Sequence, residues 1–282
     1  MTTHTRTPAH AHTPTPGQTP DPAPTTRVVD FADGLSIEVE KRGAGRPVLL
    51  LHGGAGPQSV AGFAALLAEE ARVFTPIHPG FSGRPRPDRF DGVDDLALAY
   101  LDLLARFGAR DVTVIGSSLG GWIAAEMALR DTAGLISRIV LIDAAGIRVD
   151  ESNPREIADV ASLGPAELGR LSFYDPALRP DPATMPPELR AAMAANMQTL
   201  AVYAGDPYMH DPKLRRRLHR VRIPALVVWG EHDGVIGPDY GRAYAASFPN
   251  ARFELIPEAG HLPQLEQPER VLAALREFAA AA

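Results

Sequence analysis

Short, largely apolar runs alternate with amphipathic stretches through most of this sequence. Runs at 48–51, 73–77, 112–115, 139–142 and 225–229 have too few polar positions for a strand with one wet face, and 252–256 is a further strand-length run. Between them, apolar residues return at helical spacing, as in Val93, Leu96, Tyr100, Leu101, Leu104 and Phe107, where Gly108 ends the pattern. Strands buried on both faces and separated by helices predict a parallel sheet covered by helices on each side. Near the start, 28–31 and 35–41 flank Ala32-Asp33-Gly34 and read as an antiparallel hairpin.

Two stretches break the alternation. Residues 1–26 hold six prolines and nine threonines, with Met1 and three alanines as their only apolar side chains. Such a segment buries too little surface to offset its ordering entropy and is expected to be a disordered tail. It has no apolar core of a secretory signal and little arginine for a transit peptide. His4, His10 and His12 lie on it without any frame to hold a metal. Residues 147–222 carry no strand-like run, only helical patterns at 153–163, 165–173, 187–203 and 211–218. A helical insertion there lies over the carboxyl ends of the strands, where open α/β sheets bind ligands.

Composition narrows the chemistry. The net charge of −6 gives nucleic acid and anionic membranes no electrostatic reason to bind. The absence of cysteine excludes disulfides, thiolate metal sites and a thiol nucleophile. No apolar run approaches the ~18 residues of a membrane span, so a soluble, cytoplasmic protein is expected.

Gly116-Ser117-Ser118-Leu119-Gly120 joins an apolar strand to a helix. In that context G-x-S-x-G is a nucleophile elbow, a turn that lifts the central serine hydroxyl to the sheet edge. A serine needs a base, and His261 in Gly260-His261-Leu262-Pro263 lies in the loop between the last strand and last helix. His52 and His78 suit bracing or loop roles better. The acid that holds the imidazole is Asp233, at the end of Trp229-Gly230-Glu231-His232-Asp233, with Asp143 one strand earlier as the rival. Leu51-His52-Gly53-Gly54-Ala55 supplies a small-residue loop, so the amides of Gly54 and Leu119 are the candidate oxyanion donors. No Lys-[Ser/Thr] follows this loop and no G-x-G-x-x-G is present, which disfavours nucleotide binding.

Five anchors occur together: Leu-His-Gly-Gly at 51–54, His-Pro-Gly-Phe at 78–81, Gly-Ser-Ser-Leu-Gly-Gly at 116–121, Trp-Gly-Glu-His-Asp at 229–233 and Gly-His-Leu-Pro at 260–263. In this order they resemble the α/β-hydrolase superfamily over residues 28–282. The resemblance implies an α/β-hydrolase fold. Its mostly parallel eight-stranded sheet would form from 27–146 and 223–282, with a helical cap at 147–222 between strands six and seven. It matches Ser118, Asp233 and His261 to the family's triad, and implies no metal or organic cofactor.

Serine at 118 argues against the epoxide hydrolases and haloalkane dehalogenases of this fold, which carry aspartate there. The carbon–carbon bond hydrolases commonly place Trp where this chain has Leu262, and the proline iminopeptidases differ at Ala55 and Leu119. The expected activity is therefore hydrolysis of a carboxylic ester or similar acyl bond in a small-to-medium, largely apolar substrate. A meta-cleavage type carbon–carbon hydrolase and a slow-turnover small-molecule receptor are the alternatives. Met185, Met193, Met197, Leu200, Tyr203 and Tyr208 are the cap residues available to a ligand, and Arg155, Arg179 and Arg190 those available to a substrate carboxylate. The expected partner is a small molecule, not nucleic acid, with the chain as a monomer or homodimer.

Overall fold

The computed structural model describes residues 23–153, 156–181 and 183–281. Its strands are β1 (Thr25–Asp30), β2 (Ser36–Arg42), β3 (Arg46–Leu51), β4 (Ala71–Pro76), β5 (Val112–Ser117), β6 (Ile136–Ile142), β7 (Ala225–Gly230) and β8 (Ala251–Ile256). The helices are α1 (Gln58–Ala68), α2 (Val93–Arg106), α3 (Leu119–Arg130), α4 (Pro165–Ser172), α5 (Pro187–Ala204), α6 (Leu214–Arg217), α7 (Pro238–Ala245), α8 (Pro263–Glu266) and α9 (Pro268–Ala280). The strands form one eight-stranded sheet in the order β1-β2-β4-β3-β5-β6-β7-β8. The β1–β2 and β2–β4 pairs are antiparallel, and every pair from β4 through β3 to β8 is parallel.

Strand periodicity sorts the apolar side chains onto two faces. Leu49, Leu51, Val114, Ile139, Leu141, Val227 and Trp229 share one core with α2, α3 and α7. Their neighbours Val48, Leu50, Ile115, Val140, Ile142, Leu226 and Val228 share the other with α1 and α9. That double burial is why these runs read as continuously apolar.

The chain crosses from β3 to β4 on one side and returns to β5 on the other, so the strand order reverses between β3 and β5. Crevices at the carboxyl ends of strands flanking such a reversal are where ligands bind. Leu51 pairs with Gly116 at that end, leaving the 52–56 loop beside Ser118.

The 147–222 stretch carries α4, α5 and α6. The helix expected at 153–163 does not form over the described part of that range. Instead the Glu156 carboxylate accepts the N–H groups of Val149 and Asp150, Asp150 accepts from Ser152, and Ile157 bridges to Ile236. Such local side-chain bonds compete with the helical ladder. The pattern at 211–218 shortens to α6, where Asp211 accepts the Lys213 N–H. Strand β1 begins at Thr25, inside the range read as a tail, while His4, His10 and His12 lie outside the described residues. Among the described residues, no helix is long and apolar enough to cross a membrane.

Candidate active site

Ser118 follows β5 directly and holds φ at 53° and ψ at −114°, a conformation that L-residues rarely adopt. The turn closes because its glycines lack side chains: a Cβ on Gly116 would lie 2.0 Å from the Gly120 carbonyl oxygen, and one on Gly120 2.3 Å from that of Leu51. The Ser118 N–H donates to Ile142 at 2.8 Å, and its carbonyl accepts from Gly121, Trp122 and Ala145. The strained residue is thus fastened to β6 and α3 on either side.

Asp233 lies beyond β7, where its Oδ1 accepts the N–H groups of Val235 at 2.8 Å and Ile236 at 2.9 Å. His261 sits in the loop after β8, and its N–H donates to the Ser172 carbonyl at the end of α4, at 2.9 Å. The three residues named from sequence meet here. His261 Nδ1 is 2.8 Å from Asp233 Oδ2, and His261 Nε2 is 3.0 Å from Ser118 Oγ. A carboxylate only accepts, so the imidazole carries its proton on Nδ1 and presents the Nε2 lone pair to the serine hydroxyl. All three side chains are buried.

Leu119 is the first residue of α3, so its N–H is one of the unpaired donors at a helix N-terminus. Gly54 faces the same region, because its loop packs onto the elbow: a Cβ on Gly53 would lie 3.0 Å from that of Ser118. Leu200 of α5 closes over Gly54, its Cδ2 only 2.5 Å from where a Cβ would stand.

Asp143, the rival acid, is fully buried at the end of β6 and accepts the Gly230 N–H at 2.9 Å. Burial, then the neighbouring Asp233, push its carboxyl well above the usual carboxylate range. Among the described residues, Asp143, Asp233 and His261 form a cluster close enough to hold a metal, their ligand atoms lying within 4.8 Å of one another. The Asp233 oxygens are already engaged by two amides and the imidazole, which suits a hydrogen-bond relay better than a coordination sphere.

Sequence reasoning missed the residues that hold these loops. Gln264 of α8 is buried, and its Nε2 reaches Ser117 Oγ at 3.3 Å and the Ser59 carbonyl at 3.4 Å. Asn196 of α5 accepts the Ser82 N–H at 2.8 Å and donates to Ala55 at 3.3 Å. Single polar residues with distant partners leave no periodic signal. Two of the residues offered to a ligand engage their hydroxyls with the backbone. The Tyr203 hydroxyl donates to the Pro79 carbonyl at 3.0 Å, and the Tyr208 hydroxyl accepts from Val160 at 3.2 Å.

Known proteins resemble this chain in sequence and fold. The pimeloyl-[acyl-carrier protein] methyl ester esterase of Aromatoleum aromaticum is 29% identical over 79% of this chain and 93% of its own. The 2-hydroxy-6-oxo-6-(2'-aminophenyl)hexa-2,4-dienoic acid hydrolase of Metapseudomonas resinovorans is 26% identical over 84% of this chain and 85% of its own. The solved structure of a thermophilic esterase from Thermogutta terrifontis superposes with a TM-score of 0.66 at 27% identity, covering 92% of this chain and 99% of that one. A model of the alpha/beta hydrolase family matches residues 48–274, from within β3 to within α9 and through both the elbow and the His261 loop. On that match the chain belongs to the alpha/beta hydrolase family.

Proposed function

We propose that this chain is a serine hydrolase that cleaves a carboxylic ester or related acyl bond of a small-to-medium, largely apolar substrate. The observation that carries this reading is the single imidazole bridging Ser118 Oγ and Asp233 Oδ2 at 3.0 and 2.8 Å. Ser118 Oγ attacks the carbonyl carbon as its proton passes to His261 Nε2, and Asp233 stabilises the imidazolium that forms. The oxyanion takes the N–H groups of Leu119 and Gly54. Collapse of the tetrahedral intermediate returns the proton to the leaving alcohol and leaves an acyl group on Ser118. Water, deprotonated by His261, then releases the acid and restores the serine.

Two relatives of similar identity divide the chemistry: one is named for ester cleavage, the other for a dienoic acid substrate. The second kind of substrate carries a carboxylate, and of the arginines offered to it Arg179 donates to the carbonyls of Phe173 and Tyr174, while Arg155 lies outside the described residues.

The test is a panel of p-nitrophenyl esters, lactones and dienone acids, with Ser118→Ala as control and a fluorophosphonate as covalent probe. Ester turnover that vanishes in Ser118→Ala, with labelling at Ser118, is expected. Ester turnover that survives the substitution would overturn the assignment, and tight binding with near-zero turnover would point to a receptor instead.

A further inference from the structure

Asp143 is a buried acid that the reaction above does not use. It closes β6 with φ at 45°, and its own N–H donates to the Val228 carbonyl at 3.0 Å. Oδ1 takes the Gly230 N–H, whereas Oδ2 is buried with no hydrogen-bond partner. An oxygen of this carboxyl, an oxygen of Asp233 and a ring nitrogen of His261 all lie within 4.8 Å of one another.

Two carboxyl groups this close and shut away from water do not both ionise. Which one keeps the proton follows from their donors. Asp233 accepts from three N–H groups, those of Val235, Ile236 and His261. Asp143 accepts from one. The negative charge is better solvated on Asp233, and the proton belongs on the acid with fewer donors.

We propose that Asp143 is a neutral carboxylic acid whose Oδ2–H donates to the Asp233 carboxylate, making it a positioning residue for the Ser118–His261–Asp233 relay. The otherwise orphaned Oδ2 gains a partner, and Asp233 gains a fourth contact that fixes its rotamer towards His261. The other charged group acting on Asp143, Glu266 of α8, also favours the neutral form, and only the Gly230 N–H favours the anion. The effect on turnover rests on the serine-hydrolase reading; the location of the proton does not.

Infrared spectra of the whole protein and of Asp143→Asn at neutral pH test the proton directly. The wild type is expected to show the carbonyl stretch of a protonated carboxylic acid that the variant lacks; no difference in that band would overturn the proposal. Kinetics give the second readout, because an Asn amide can still donate to Asp233 and an Ala side chain cannot. A hydrogen bond to a charged acceptor corresponds to about 10- to 100-fold in rate, so Asp143→Asn should retain at least about tenfold more turnover than Asp143→Ala. Equal losses in the two variants would overturn the positioning role. If Asp143→Ala does not fold, or if the protein proves to have no esterase activity, the infrared comparison still decides where the proton lies.

Discussion

The imidazole rings of His52 and His78 lie 3.7 Å apart, tilted by 30°, and both are fully buried behind the Gly53-Gly54 loop. Their hydrogen bonds fix both tautomers. The His78 N–H donates to His52 Nε2 at 3.2 Å, so His52 carries its proton on Nδ1 and gives it to the Gly53 carbonyl at 2.8 Å. His78 Nε2–H donates to the His52 carbonyl at 2.9 Å, which leaves Nδ1 to accept the Tyr100 hydroxyl at 2.5 Å. Two neutral rings satisfy every partner. A proton added to either would have no acceptor.

Acid should therefore weaken the fold through this pair. Burial holds His52 down to about 4 from its ordinary 6.5, and His78 is lowered for the same reason and by its neighbour. Between those values the unfolded chain binds a proton that the folded chain refuses. Stability from this source is complete above about pH 6.5 and is lost as the pH falls towards 4, by about 3 kcal/mol for His52. Urea unfolding of the wild type and His52→Gln between pH 4 and 7 checks this. The wild type should show the steeper loss, and parallel curves would refute it.

Tyr100→Phe removes the donor to a fully buried His78 nitrogen without changing the shape of the ring. An orphaned buried acceptor costs about 1–3 kcal/mol. Thermal unfolding should show that loss, and Tyr100→Phe should also lower ester turnover, because His78 braces the loop that holds Gly54.

These networks mark where sequence reading stops. The layers were legible because doubly buried strands such as 139–142 are apolar throughout. Ser118, Asp233 and His261 were legible because each follows a strand in a loop with its own pattern. The 153–163 helix was misread because helical spacing cannot register the Glu156 carboxylate capturing the amides of Val149 and Asp150. Gln264 was invisible because its partners, Ser117 and Ser59, are remote in sequence.

Gln264 ties α8, which follows the His261 loop, to Ser117 beside the elbow and to Ser59 of α1. Gln264→Leu keeps the volume and removes both donations. Loss of base–nucleophile registry should appear as a fall in kcat of about tenfold with KM little changed, since each neutral hydrogen bond is worth about 0.5–1.5 kcal/mol. A change confined to KM would instead place Gln264 in substrate binding.

Helix α5 is fastened to the core by Asn196 on Ser82 and Ala55, Thr199 on Gly80 at 2.8 Å, and Tyr203 on Pro79. Leu200 lies between these bonds and covers Gly54. Asn196→Ala should loosen this wall, raising KM for apolar esters several-fold and lowering stability by about 1–3 kcal/mol. Unchanged KM across an acyl-chain series would show that α5 does not border the substrate.

The neutral Asp143 carries a stability signature of opposite sign to that of His52. Its folded-state carboxyl is raised well above 3.8, so the folded chain keeps a proton that the unfolded chain releases above that value. The contribution is fully present below pH 3.8 and is lost as the pH rises towards the folded-state value. Asparagine at 143 has no proton to exchange. Asp143→Asn should therefore gain on the wild type as the pH rises from 4, by about 1.4 kcal/mol per pH unit while Asp143 stays protonated. At pH 4 the two proteins should unfold at nearly the same urea concentration, and at pH 7 the variant should resist more. If the difference between the two instead stayed constant from pH 4 to pH 7, the folded-state carboxyl at 143 would be ionised. The charge of the relay would then sit on both acids, and Asp233 would need a partner other than a proton shared with Asp143.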